Sequence, residues 1–190
     1  RTQTINFFDL GGRGRLVDLP GYGFARVPQA VRDQWDLLVG GYLGSRRTLA
    51  GVVVLMDARH PFTPHDEHLL QWLRPVGRRL LVLLSKCDKL SRQDRAKALQ
   101  GARERLARRA LEGEVRLFSS LSGEGVEETR ALLVVAVDDQ GGPDVHGALL
   151  VHPGAAGAVH LFEIDDVLGG LQCHAAVLDR PRRHQPAVAR

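Results

Sequence analysis

Lysine, cysteine and long apolar stretches are scarce in this sequence, and each scarcity excludes something. Only three of the 26 basic residues are lysines (Lys86, Lys89 and Lys97), so the formal net charge of +4 over 190 residues is carried almost wholly by arginine. Such a composition raises the isoelectric point by itself, and a modest positive balance is compatible with an RNA partner without identifying one. The two cysteines, Cys87 and Cys173, have neither a metal-ligand spacing nor a disulfide framework, which points to a reducing compartment. No apolar run approaches the roughly 18 to 20 residues of a membrane span. No signal peptide is visible. The first residue is Arg1 rather than Met, so the sequence is expected to begin inside a longer natural chain. What is present suits a folded domain: 44% apolar and 25% charged residues are enough for one ordinary domain with an appendage.

Periodicity gives the organisation. Residues 4–8 and 15–19 read as strands on either side of a glycine turn at 11–14, which is a hairpin signal. Pro28 opens a helix with Val31, Trp35, Leu38 and Tyr42 on one face. Residues 50–56 and 80–84 are apolar without alternation, the mark of strands buried on both faces of a parallel sheet. Residues 65–73 form a short helix. Ser91 starts a long one, with Asp94 completing a capping box. Leu99, Ala102 and Leu106 face its core side, and Arg92, Arg95, Arg103, Arg105, Arg108 and Arg109 decorate the rest. A further strand at 115–118 and a helix at 124–137 complete an alternating pattern. The fold class is therefore α/β, a doubly wound, mostly parallel sheet with helices on both faces. Ligands of such sheets sit at the carboxyl ends of the strands.

Composition changes after Asp138. Residues 1–138 hold 22 Lys/Arg against 16 Asp/Glu, whereas residues 139–190 hold 4 against 6, no lysine, and five of the eight histidines. Residues 147–151 and 159–164 are expected to pair as strands around a turn at 153–157, and this segment carries no chemical motif.

Three strand ends carry chemistry. The strand at 15–19 runs into Asp18-Leu19-Pro20-Gly21. A carboxylate there can hold a magnesium ion through water, and a glycine three residues on lets its N–H approach a γ-phosphate. The strand at 80–84 runs into Ser85-Lys86-Cys87-Asp88. Guanine presents N1–H and the N2 amine side by side. A carboxylate accepts both, and adenine offers no such pair. The strand at 115–118 runs into Ser119-Ser120-Leu121, whose small polar serine pair is suited to presenting an N–H to the guanine O6 and buttressing the Asp88 loop. Asp88 follows Asp18 by 70 residues and Ser119 follows Asp88 by 31, each after a buried strand of one pattern.

Residues 1 to about 135 resemble a particular family. The run Arg1-Thr2-Gln3-Thr4-Ile5-Asn6-Phe7-Phe8 is similar to a signature segment of the EngB/YihA (YsxC) GTPases, within the TrmE-Era-EngA-EngB-septin-like superfamily. Asp18-Leu19-Pro20-Gly21-Tyr22-Gly23-Phe24-Ala25 resembles that family's second signature. Trp35, Tyr42, Met56-Asp57, Arg59-His60-Pro61 and Phe118-Ser119-Ser120 agree as well. The resemblance implies a P-loop NTPase-type G domain at residues 1–138, binding GTP and GDP with Mg²⁺. It implies a cytoplasmic, monomeric switch that serves large ribosomal subunit assembly and normal cell division and septation. It assigns nucleotide contacts to Arg1, Thr2, Gln3, Thr4, Asp18, Leu19, Pro20, Gly21, Ser85, Lys86, Cys87, Asp88, Phe118, Ser119 and Ser120. Thr2 and Asp18 would be the magnesium ligands, Asp18 through water. Tyr22 stands where many GTPases place a water-orienting glutamine, which implies slow intrinsic hydrolysis aided by K⁺ or the ribosome.

Two departures accompany the resemblance. No Gly-x-x-x-x-Gly-Lys-[Ser/Thr] string occurs, and the nearest, at residues 41–45, lacks the lysine. Without that loop the phosphates lose an amide cradle, a lysine charge and a magnesium ligand. An N-terminally truncated fragment, lacking the first strand and the P-loop and impaired in nucleotide binding, is expected. Residues 139–190 are the other departure, an irregular extension that is either lineage-specific and disordered or read in a shifted frame. A second function stands beside the GTPase: a non-catalytic rRNA-binding module using the arginine-rich helix 91–109.

Overall fold

The apolar runs become strands because both of their faces are covered. In the computed structural model, which describes residues 6–10, 14–18, 37, 41, 49–138, 147–153 and 173–176, all nine residues of the strand Leu49–Asp57 are buried. Six of the seven residues of Arg79–Ser85 are buried too. Neither strand alternates, as a parallel sheet roofed on both sides requires. In chain order the strands are β1 (Asn6–Leu10), β2 (Gly14–Asp18), β3 (Leu49–Asp57), β4 (Arg79–Ser85), β5 (Gly113–Leu117), β6 (Gly147–Pro153) and β7 (Cys173–Ala176). The described helices are α1 (Pro64–Leu73), α2 (Arg92–Arg108) and α3 (Val126–Asp138).

All seven strands join one sheet in the order β5-β4-β3-β6-β2-β1-β7. The five from β5 to β2 run parallel; β1 pairs antiparallel with β2, and β7 antiparallel with β1. Val52, Val54 and Met56 of β3 pack with Leu69 and Leu70 of α1 and with Ala102 and Leu106 of α2. The alternate residues Val53 and Leu55 pack with Val126 and Leu133 of α3. Successive side chains of a strand point to opposite faces, so one strand serves both layers. The expected doubly wound arrangement is therefore present, as is the hairpin, with Asn6 opposite Asp18.

Local signals set the helix starts. Thr63 and Asp66 form a complete capping box ahead of α1, with Pro64 in the first turn. Ser91 caps α2 by accepting from the Asp94 N–H at 3.2 Å, while its hydroxyl donates to the Asp94 carboxylate at 2.7 Å. The helix expected from Pro28, with Val31, Trp35, Leu38 and Tyr42, lies outside the described residues.

The C-terminal segment supplies the largest difference from expectation. Residues 147–151 are a strand, but they do not form half of a local hairpin. β6 runs in parallel between β2 and β3, with Val151 level with both Asp18 and Val53. Its Ala148-Leu149-Leu150-Val151 run has the unbroken apolar character of a strand covered on two faces. Residues 159–164, the expected partner, lie outside the described residues. Within the segment expected to be irregular, β6 and β7 are thus members of the main sheet.

Candidate functional site

Because β2 to β5 run parallel, their carboxyl ends meet at one edge, and the sequence places its polar motifs there. Ser85 closes β4 and is buried; its hydroxyl donates to the Met56 carbonyl of β3 at 3.1 Å. Lys86 takes a left-handed conformation, φ 57° and ψ 32°, which turns the chain sharply into a 3-10 turn at Cys87–Lys89. Cys87 is buried and its N–H donates to the Phe118 carbonyl at 3.2 Å. Burial pushes its thiol up to about 11, which leaves it a packing group rather than a nucleophile.

Asp88 then stands at the rim with its side chain 15% exposed. The Ser119 hydroxyl donates to its Oδ1 at 2.6 Å, and Lys89 Nζ lies 3.1 Å from Oδ2. The Ser119 hydroxyl, then the lysine, holds the Asp88 carboxyl below the usual range. The carboxylate is therefore ionised at neutral pH and fixed in direction. Each of its oxygens has a second lone pair for a further donor.

The opposing loop is built as tightly. Phe118 is buried, and its N–H donates to the Leu84 carbonyl at 3.0 Å. The Ser119 N–H donates to the Glu124 carbonyl at 2.9 Å. Its hydroxyl buttresses Asp88. Gly125 closes this loop at φ +77°, where an added Cβ would lie 2.1 Å from the Leu117 carbonyl oxygen.

Asp18, 8% exposed, ends β2 at the far side of the same edge. Three strand spacings separate β2 from β4, about 14 Å at the usual interval. That span suits the distance from a nucleotide base to its outer phosphates. Asp18 can supply one magnesium oxygen, most readily through water. Among the described residues no group of three or more His, Cys, Asp or Glu could hold a metal. Arg1, Thr2, Gln3, Thr4, Leu19, Pro20, Gly21 and Tyr22 lie outside the described residues.

Curated relatives match across this framework. A probable GTP-binding protein EngB of Methylobacillus flagellatus is 49% identical over 133 residues, covering 70% of this chain and 64% of the relative. Its counterpart in Dechloromonas aromatica is 49% identical over 140 residues, 73% of this chain and 64% of the relative. That of Thiobacillus denitrificans is 51% identical over 128 residues, 67% of this chain and 62% of the relative.

The chain belongs to the EngB family. It spans less than two thirds of the length of these EngB relatives. No family model matches the chain.

Around the EngB-type motif the structure adds residues to which sequence reasoning gave no role. Asp57, at the end of β3, is 2% exposed and accepts from Arg59 Nε at 2.9 Å and Nη2 at 2.6 Å. The Arg59 side chain, chiefly, holds the Asp57 carboxyl down at about 2. Arg95 donates to Glu124 at 2.6 Å and to the Leu90 carbonyl at 3.1 Å, which ties α2 to the Ser119 loop. Asp57 and Arg59 stood inside a signature string and could have been singled out. Arg95 and Glu124 had no signal, being 29 residues apart with no shared motif.

Proposed function

We propose that this chain reads guanine nucleotides at the Asp88 edge and is the base-binding part of an EngB-type GTPase switch. The 2.6 Å bond from Ser119 to Asp88 carries the reading, because it fixes an ionised carboxylate that still has room for two parallel donors. Guanine supplies that pair and adenine does not. Ser85, Lys86 and Cys87 shape the loop from below; Phe118 and Ser120 face it from the other side. Asp18 serves the phosphate end together with Leu19, Pro20, Gly21 and the run Arg1, Thr2, Gln3 and Thr4.

Magnesium, held by Thr2 and through water by Asp18, would neutralise the charge developing on the terminal phosphates. With Tyr22 in place of an amide, GTP hydrolysis to GDP and phosphate is slow unless K⁺ or the ribosome assists. The cellular role in this proposal is a cytoplasmic, monomeric switch for large-subunit assembly and septation. The sequence contains no Gly-x-x-x-x-Gly-Lys-[Ser/Thr] loop, so overall affinity in this chain is weak.

The test is calorimetric titration with GTP, GDP and ADP in the presence of Mg²⁺. GDP should bind at least roughly tenfold better than ADP, the worth of one lost pair of charge-assisted bonds. Equal affinities for GDP and ADP would refute guanine reading. Micromolar GTP affinity would refute the weak binding.

The rRNA-binding alternative rests on the arginines of helix 91–109. Two of them are engaged within the fold, Arg95 with Glu124 and Arg109 with Glu67. Arg105 and Arg109 also lie over the Phe62 ring, at 5.2 and 5.7 Å. That leaves Arg92, Arg103 and Arg108 exposed for phosphates. Steeply salt-dependent RNA binding that GTP does not affect would favour this module.

A further inference from the structure

One buried carboxylate anchors two cations beside the base-reading loop. Asp57 closes β3 with its side chain 1% exposed. Its Oδ1 accepts from the Arg59 backbone N–H at 3.0 Å and from Nε at 2.9 Å; its Oδ2 accepts from Nη2 at 2.6 Å. Lys86 Nζ lies 3.6 Å from the same Oδ2. Lys86 is also the residue held at φ 57°, a left-handed conformation that strains a non-glycine residue and persists only where its surroundings fix it. The Ala58 N–H donates to the Ser85 carbonyl at 2.8 Å, which pins the ends of β3 and β4 together just where these side chains meet.

A second carboxylate stands nearby. Asp57 raises the Arg59 pKa most, and the Asp88 charge adds to it from farther off. Asp88 has its own close partners, Lys89 and the Ser119 hydroxyl. Two carboxylates thus face three cations, Arg59, Lys86 and Lys89, and the burial of Asp57 decides the sharing. A buried carboxylate demands charge partners far more strongly than one at the rim.

We infer that Asp57 is a positioning residue of the base-reading loop: it fixes Lys86 in its left-handed turn and keeps the Arg59 guanidinium off Asp88, leaving that carboxylate open to the base. The functional meaning rests on the guanine reading proposed above. The geometric content does not, and it can be measured without nucleotide. With Asp57 neutralised, Arg59 loses its bidentate acceptor and turns to Asp88, the remaining carboxylate within its field. The guanidinium would then occupy the oxygens that guanine needs.

The experiment is a carbon-13 NMR titration of the Asp88 carboxyl in the full chain without ligand, for the wild type, Asp57→Asn, Arg59→Gln and the double variant. In Asp57→Asn the Asp88 midpoint should fall by at least about half a unit, because an arginine beside a carboxylate favours its charged form. In the double variant it should return to the wild-type value. A midpoint that does not move in Asp57→Asn, or that falls equally in the double variant, overturns the inference. Arg59→Gln alters only a half-exposed side chain and decides the matter if Asp57→Asn does not fold. It should raise the Asp57 midpoint while leaving that of Asp88 nearly unchanged. A larger movement at Asp88 than at Asp57 would mean that Arg59 already belongs to Asp88, which also overturns it. A wild-type chain that showed no preference for GDP over ADP would sink the guanine reading and leave this titration to decide the positioning role.

Discussion

At the residue scale the proposed base-reading edge depends on a few short polar contacts. Ser119→Ala removes the hydroxyl that holds Asp88, so the carboxylate should swing and its pKa should rise toward the ordinary value. The expected loss is roughly tenfold in GDP affinity with little effect on ADP, read by parallel titrations. Asp57 makes a separate prediction about acid. Its folded pKa of about 2 lies below the ordinary 3.8, so its contribution to stability is complete above about pH 4 and is lost as pH falls through 2. Asp57→Asn should therefore flatten the dependence of the urea midpoint on pH between 4 and 2. An unchanged slope would contradict the assignment. At this scale the sequence was informative wherever a residue's role follows from a short string. Asp88 and Ser119 were legible because a carboxylate suited to guanine and its buttress each follow closely on a strand of the parallel sheet. Arg95 and Glu124 were not, because the fold rather than the spacing brings them to 2.6 Å.

At the element scale, most boundaries follow from local physics. β3 and β4 announce themselves as apolar runs, and α1 and α2 begin at Thr63 and Ser91, whose side chains satisfy open backbone donors. Ser91→Ala should cost about 1 kcal/mol in chemical denaturation. The turn from β5 to α3 is less forgiving. Gly125 combines φ +77° with a 2.1 Å approach to the Leu117 carbonyl, so Gly125→Ala forces both strain and a clash. Destabilisation above about 2 kcal/mol is expected, along with displacement of the Ser119 loop. Periodicity cannot disclose such a contact, since the oxygen involved belongs to the preceding strand.

At the scale of the whole molecule the sheet is closed by a strand from the far end of the chain. β6 joins β3 to β2, and with β2 come β1 and β7. The sequence showed an apolar run at 147–151 but nothing about its place. Parallel neighbours are chosen by pairing across long separations, which leaves no local mark. Leu150 pairs with Val17 on one side and with Val52 on the other, within ladders that need its backbone. Leu150→Pro should therefore abolish the cooperative thermal transition, since proline cannot sit in a central strand. An unchanged melt would show that β6 is dispensable. The same arrangement sets Asp18 and the Asp88 turn at the ends of strands three steps apart, so the two ends of the proposed site depend on β6 between them.

The most direct measurement exchanges the hydrogen-bonding sense of the base reader. Xanthine carries an acceptor where guanine carries its N2 amine, so Asp88→Asn, which replaces an acceptor with a donor, should invert the preference. Calorimetry on the wild type and Asp88→Asn with GDP and xanthosine diphosphate reads this. The wild type should favour GDP, and Asp88→Asn should favour xanthosine diphosphate. A preference that is the same in both proteins would contradict the assignment of Asp88 as the residue that reads guanine.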